Sequence, residues 1–164
     1  MAALYQAHRC FTGVPRSVKA ARDWLRAELA PMVPDERVAT AVLLASEAAT
    51  NSLCHTASGR GGTFTVALVI LDRWIHIDIE DGPSGTVPHL AATGLEDEHG
   101  RGLALVDALA DDWGWSHTGL FFRLALPDPV PQERERRLSD MSMGSRPPTS
   151  MLWQGYGSPQ QMNG

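Results

Sequence analysis

The pattern of apolar and polar positions is clearest between residues 35 and 55. Five apolar residues recur there at helical spacing and share one side of a helix: Val38, Val42, Ala45, Ala49 and Leu53. At about 100° per residue, Glu47, Asn51 and His55 fall within about 80° of one another on the other side. Leu43 and Leu44 lie close to this polar stripe. The pattern predicts a core helix whose polar stripe faces a semi-enclosed cavity; an amphipathic helix with scattered polar residues is the alternative.

The residues before this helix predict a strand and a shorter helix. Ala3–Phe11 has the composition of a strand. After Pro15, apolar residues at helical spacing predict an amphipathic helix with Ser17 as its N-cap. Pro31 and Pro34 are expected to end that helix, because proline interrupts the helical hydrogen bonds.

Two β-rich runs after the long helix predict an antiparallel hairpin joined at Asp72-Arg73. In the second run, 74–81, the isoleucines have the parity of the core. The side chains expected to face outward are Trp74, His76, Asp78 and Glu80. Asp81 shares the parity of the isoleucines, and a carboxylate on the core side is costly unless something satisfies it. Asp81 therefore needs a partner; capping the turn that follows it is the alternative.

The next segment, residues 82–100, is rich in Gly, Pro, Thr and acidic residues and has no periodicity. A stretch of this kind in a compact domain is typical of a functional lid. A helix is predicted from about Arg101 or Gly102, and glycines at its start let backbone N–H groups approach a phosphate. Two final strands are predicted over about Asp112–His117 and Leu120–Leu126.

Composition and charge reduce the number of function classes that fit the chain. A chain of 164 residues, 43% of them apolar, forms one domain. A net charge of −5, without a long cluster of Lys and Arg, argues against nucleic acid and an anionic membrane as partners. The absence of a membrane-length apolar run or a secretory pattern predicts a cytoplasmic protein. Cys10 and Cys54 fit that compartment as ordinary thiols.

Three separated pieces carry the candidate chemistry. They are Glu47-x-x-x-Asn51 in a helix, Asp81-Gly-Pro-Ser-Gly85 after a strand, and His99-Gly-Arg-Gly-Leu103 opening a helix. In this order they resemble the N, G1 and G2 boxes of the GHKL, or histidine-kinase-like, ATPase family. Over about Ala20–Leu126 the chain is similar to the actinobacterial anti-sigma-factor serine/threonine kinases.

The resemblance implies an α+β fold of the Bergerat type. Its two-layer α/β sandwich has helices on one face of a mixed, largely antiparallel sheet. Residues 1–127 would form the ATPase domain. Residues 128–164, rich in Pro, Gly, Ser, Gln and Met, predict a disordered tail, with Met151-Leu152-Trp153 as a short docking element in the alternative.

The same resemblance implies ATP and Mg²⁺ as cofactors. Asn51 would coordinate the Mg²⁺ that bridges the phosphates, Glu47 would be the general base, and Asp81 would contact the adenine amino group. The remaining implied nucleotide contacts are Gly85, Gly100, Arg101, Gly102 and Leu103. His55 is interpreted as a structural residue.

Two departures from the family pattern bear on turnover. Pro83 stands where the G1 box has its first glycine, and Thr118-Gly119-Leu120 keeps no lysine in the last-strand segment. The leading hypothesis is a kinase that sequesters a sigma factor and phosphorylates a Ser or Thr of an anti-sigma-factor antagonist. A nucleotide-gated binding module without turnover is the second hypothesis, and a scaffold that binds no nucleotide is the third. A homodimer is expected from the resemblance alone.

Overall fold

The computed structural model describes residues 3–82 and 100–127. Their elements, in chain order, are β1 (Tyr5–Thr12), α1 (Pro15–Leu29), α2 (Asp35–His55), β2 (Thr63–Ile70), β3 (Trp74–Asp81), α3 (Gly100–Leu109), β4 (Asp112–Trp115) and β5 (Gly119–Ala125). A short 3₁₀ turn, Ala57–Gly59, follows α2. None of the helices in these ranges has both the length and the apolar character needed to cross a membrane.

The strands form one five-stranded sheet in the order β1-β2-β3-β5-β4. Every neighbouring pair in it is antiparallel. The α+β prediction is therefore confirmed, and within the described residues the sheet has no parallel pair. The predicted hairpin is β2 and β3, which pair from Ile70 opposite Ile75 to Phe64 opposite Asp81.

The hydrophobic core lies between the helices and one face of the sheet. Strand side chains alternate between the two faces, so every second residue points to the helices. The sheet residues of this core are Tyr5, Phe11, Phe64, Val66, Leu68, Ile70, Ile75, Ile77, Ile79, Leu120, Phe122 and Leu124. Leu25 and Leu29 of α1 and Val38, Val42 and Leu44 of α2 pack against them. The long helix thus buries the apolar side that its spacing predicts.

The predicted N-cap of α1 is wrong. The helix begins at Pro15, with Val14 in the cap position and no side-chain cap. Proline suits the first turn of a helix, because its fixed φ is already helical and its missing N–H would have no partner there. Ser17 is instead buried inside that turn, with its Oγ 3.0 Å from Thr12 Oγ1.

A second side-chain hydrogen bond joins the first strand to the far end of the first helix. The Tyr5 hydroxyl donates to the Glu28 carboxylate. Burial of the ring, together with this bond to a carboxylate, raises the pKa of Tyr5 well above its usual value.

The prediction that His76 and Asp78 face outward is confirmed for the side of the sheet and wrong for exposure to water. Both lie on the sheet face away from the helices, as alternation requires, but they are buried. His76 Nε2 is 2.7 Å from Asp78 Oδ2, and Arg123 Nε donates to His76 Nδ1 over 3.2 Å. Arg123 also bonds Asp112 Oδ2 at 2.9 Å. Alternation along a strand shows which face a residue occupies, whereas the exposure of that face depends on what packs on it.

Gly119 sets the contact between β5 and β3. A Cβ at this position would lie 1.9 Å from the backbone oxygen of Ile79. We expect Gly119→Ala to lower the free energy of unfolding by more than about 2 kcal/mol, because backbone atoms cannot turn aside as a side chain can. Thr118→Ala, in the exposed turn beside it, should cost less than about 0.5 kcal/mol. Urea denaturation measures both, and equal losses would place the effect in the turn instead.

Candidate functional site

Two of the predicted motifs meet where α3 begins beside α2. Glu47 and Asn51 lie one turn apart on α2, and both are half-buried. A Cβ added to Gly102, in the first turn of α3, would lie 3.0 Å from Glu47 Oε2 and 3.3 Å from Asn51 Nδ2. The backbone of Gly102 therefore lies directly against the polar stripe of α2.

This arrangement gives the start of α3 a defined chemistry. The first N–H groups of a helix have no partner within the helix, and the helix dipole favours an anion beside them. Gly102 leaves open the space that a side chain would fill. A phosphate bound to these N–H groups would lie next to one carboxylate and one amide, Glu47 and Asn51.

Asp81 ends β3 on the helix-facing side, as its parity predicts. Its Oδ1 accepts hydrogen bonds from Ser52 Oγ, from Thr56 Oγ1 at 2.9 Å and from Ser58 Oγ at 3.0 Å. These donors are the partners that a carboxylate on the core side of the sheet requires. Its backbone N–H donates to Thr118 O over 2.7 Å, which fixes the carboxylate at the junction of β3 and β5.

The three hydroxyls donate to one oxygen of the Asp81 carboxylate, Oδ1, and not to the other, Oδ2. No described residue donates a hydrogen bond to Asp81 Oδ2. An ionised carboxylate oxygen accepts and does not donate, so Oδ2 suits an amino group such as the one on adenine. The alternative, in which Asp81 caps the turn after it, concerns residues 83–85 outside the described part of the chain.

Sequence reasoning missed the three hydroxyls. Ser52 follows Asn51 directly, Thr56 lies four residues later at the end of α2, and Ser58 is in the 3₁₀ turn. Two hydroxyl residues at helical spacing beside the stripe were the available signal. Gly13 helps to hold Ser58 in place, because a Cβ at Gly13 would lie 1.5 Å from Ser58 O.

The other predicted site residues fall into two groups. Gly100 and Arg101 form the first turn of α3, and Leu103 is partly buried against the core. Gly85 lies outside the described residues. His55 ends α2 and is exposed, and it has an interaction partner.

A magnesium ion fits this donor set. Over residues 3–82 and 100–127, no three His, Cys, Asp or Glu side chains cluster as a metal site. Mg²⁺ commonly takes one or two protein oxygens and completes its shell with water and substrate phosphates. Glu47 and Asn51 are the residues beside Gly102 whose side-chain oxygens suit that role.

The model of the histidine kinase-like ATPase domain matches residues 11–124. The chain belongs to the histidine kinase-like ATPase family. The match runs from the end of β1 to the end of β5 and spans all three motifs, so ATP is the nucleotide that this domain binds. No curated protein matches the chain. The family prediction is confirmed, and the anti-sigma-factor kinase subgroup stays a prediction.

The hydroxyls around Asp81 can be tested one at a time. We expect Thr56→Val to raise the Kd for ATP roughly 5-fold to 10-fold, about the value of one hydrogen bond, because the carboxylate is then less firmly oriented. Thr50→Val is the matched control, since the exposed Thr50 hydroxyl donates to a backbone oxygen four residues back, as that of Thr56 also does. Isothermal titration of both variants gives the answer, and equal affinities would show that Thr56 does not position Asp81.

Proposed function

We propose that this histidine kinase-like ATPase is a serine/threonine protein kinase of the anti-sigma-factor type. It sequesters a sigma factor and phosphorylates a Ser or Thr of an anti-sigma-factor antagonist. The observation that carries the proposal is the contact of Gly102 with Glu47 and Asn51. This contact puts the Glu47 carboxylate beside the start of α3, and that helix start is suited to bind the transferred phosphate.

Different residues of the site would bind different parts of the nucleotide. Asp81 Oδ2 would accept from the adenine amino group, and the first N–H groups of α3 would hold the phosphates. Asn51 Oδ1 would bind Mg²⁺, which neutralises charge on the β- and γ-phosphates. Phosphoryl transfer needs mainly this positioning and charge neutralisation.

Glu47 would act on the acceptor hydroxyl. No hydrogen bond or ion pair within residues 3–82 and 100–127 occupies its carboxylate. The carboxylate takes the hydroxyl proton while the hydroxyl oxygen bonds the γ-phosphorus. The bond from that phosphorus to its bridging oxygen breaks, and ADP leaves with the oxygen.

The substrate proposed here is a protein, and the surface near Glu47 suits one. Leu43 precedes Glu47 by one turn of α2 and is 41% exposed. An acceptor protein that places its hydroxyl at Glu47 would cover this leucine. The sigma factor and the antagonist are proposed from the resemblance of the motifs to the anti-sigma-factor kinases.

A second function is favoured by the sequence of the G1 box. Pro83 replaces a glycine there, and Thr118-Gly119-Leu120 has no lysine. A nucleotide-gated binding module, which holds its partner without turning ATP over, would tolerate both changes. The two functions share the nucleotide site and differ only in the role of Glu47.

The first test concerns binding. We expect Asn51→Ala and Asp81→Asn each to weaken binding of ATP with Mg²⁺ at least about 10-fold, because each removes one polar contact to the nucleotide or its metal. Isothermal titration beside the wild type measures the loss, with circular dichroism as the control for folding. A folded wild-type protein that binds no ATP would leave a protein-binding scaffold as the better account.

The second test concerns turnover. We expect Glu47→Gln to keep ATP affinity within about 3-fold and to slow phosphoryl transfer by roughly 10²-fold to 10⁴-fold, the usual contribution of a general base. Glu36→Gln, in the first turn of the same helix, is the matched control. Release of phosphate and labelling of antagonist proteins by radioactive ATP are the two readouts. ATP binding with no transfer in the wild type would favour the binding module.

A further inference from the structure

The sheet face away from the helices has a buried centre of its own. Its buried residues are Ala67, Val69, His76, Asp78 and Phe121, on β2, β3 and β5. The apolar members of this patch, which we call the outer patch, are not part of the core under the helices. The outer patch is therefore a second, separate burial site.

Contacts within the sheet do not account for this burial. Phe121 is 2% exposed and Ala67 is 0% exposed. His76 stacks on Phe121 with ring centroids 5.5 Å apart, and Arg123 lies 5.3 Å from the Phe121 centroid. Neighbours on a sheet cover the sides of a residue, whereas its outer surface stays open to water unless another layer packs on it.

The edge of the same face shows the contrast. His8 and Cys10 of β1 point to this side, opposite Ala67 and Thr65 of β2, and both are exposed. The layer that buries this face, which we call the cover, is therefore limited to the central strands. Since the burial is present within one chain, it does not require a second copy.

The path of the chain indicates which segment is the cover. At the end of β5, Ala125 pairs with Trp74, and the Leu126 N–H donates to Arg73 O over 2.8 Å. The pair of His76 and Arg123 lies only two residues inward along the strands, about 7 Å away. The 37 residues from 128 to 164 start at this point.

The other long segment outside the described residues starts elsewhere. Residues 83–99 leave the opposite end of β3, after Gly82, and return at the start of α3. That start lies in the helix layer, where Gly102 meets Glu47. Both ends of this segment are thus held at the nucleotide site, away from His76 and Arg123, whereas Asp78 lies four residues from Gly82 and four from Trp74.

We propose that part of residues 128–164 packs on the outer patch and forms a third layer on the sheet. The segment has the side chains that the patch needs. Its large apolar residues are Val130, Leu138, Met141, Met143, Met151, Leu152, Trp153, Tyr156 and Met162. These would cover Val69 and Phe121.

The charges of the patch fit the same segment. Asp78 Oδ1 is buried, and no described residue donates a hydrogen bond to it. A buried carboxylate oxygen without a donor is costly. The four arginines of the segment, Arg134, Arg136, Arg137 and Arg146, carry the donors that suit it. The composition-based prediction of a disordered tail stays a prediction, and the two tests below bear on it as well.

The two native cysteines provide the first test in the full chain. Cys10 borders the outer patch and Cys54 lies on α2 in the opposite layer, and both are exposed. A nitroxide on Cys10, in Cys54→Ser, should broaden the amide NMR signals of a block of residues within 128–164. The same label on Cys54, in Cys10→Ser, should leave that block sharp. Equal effects of the two labels, or none, would overturn the proposal.

Thiol accessibility provides the second test. In a Cys10→Ser, Cys54→Ser background, the thiol of Val69→Cys should react with a maleimide roughly 100-fold more slowly than native Cys10, because it reacts only when the cover opens. The rate should not change on dilution. A rate equal to that of Cys10 would show an open face, and protection lost on dilution would assign the cover to a second copy; either result overturns the proposal.

Discussion

The close packing of α2 on the sheet is the contact on which the rest of the structure depends. Half of the buried residues of α2 are alanines: Ala41, Ala45, Ala48 and Ala49. Small side chains let a helix backbone lie near the strands. One turn beyond Ala48, Ser52 occupies the same side and reaches Asp81. A bulky residue among these alanines would separate the layers and break that hydrogen bond, so core packing and the candidate site share one requirement.

Asp81 shows how the fold supports a carboxylate in this position. Hydroxyls from the end of α2 and the 3₁₀ turn donate to its Oδ1, which gives a carboxylate on the core side of the sheet the hydrogen bonds that it needs. Gly13 and Gly119 contribute indirectly, since each permits a backbone approach that a side chain would block. The candidate site is therefore built from contacts that also hold β1, α2 and β5 in place.

The sequence predicts most of the elements, because apolar spacing in β3 and α2 comes directly from the layer each must face. It also predicts the side on which Asp81 lies. It does not predict the donors to Asp81 or the burial of His76, since both depend on segments distant along the chain. The start of α1 was misplaced because a capping preference at Ser17 competed with a stronger local constraint at Pro15.

The position of both halves of the site on α2 has a mechanical consequence. Glu47 and Asn51 face the start of α3, while Ser52 and Thr56, on the next turn, hold Asp81. A rigid helix cannot shift one pair without the other. Under the proposed function, a partner protein that displaces α2 would weaken the contacts to the phosphates and to the base in a single movement. The phosphates and the base would then be released together. A regulator would need to contact only α2 to release the nucleotide.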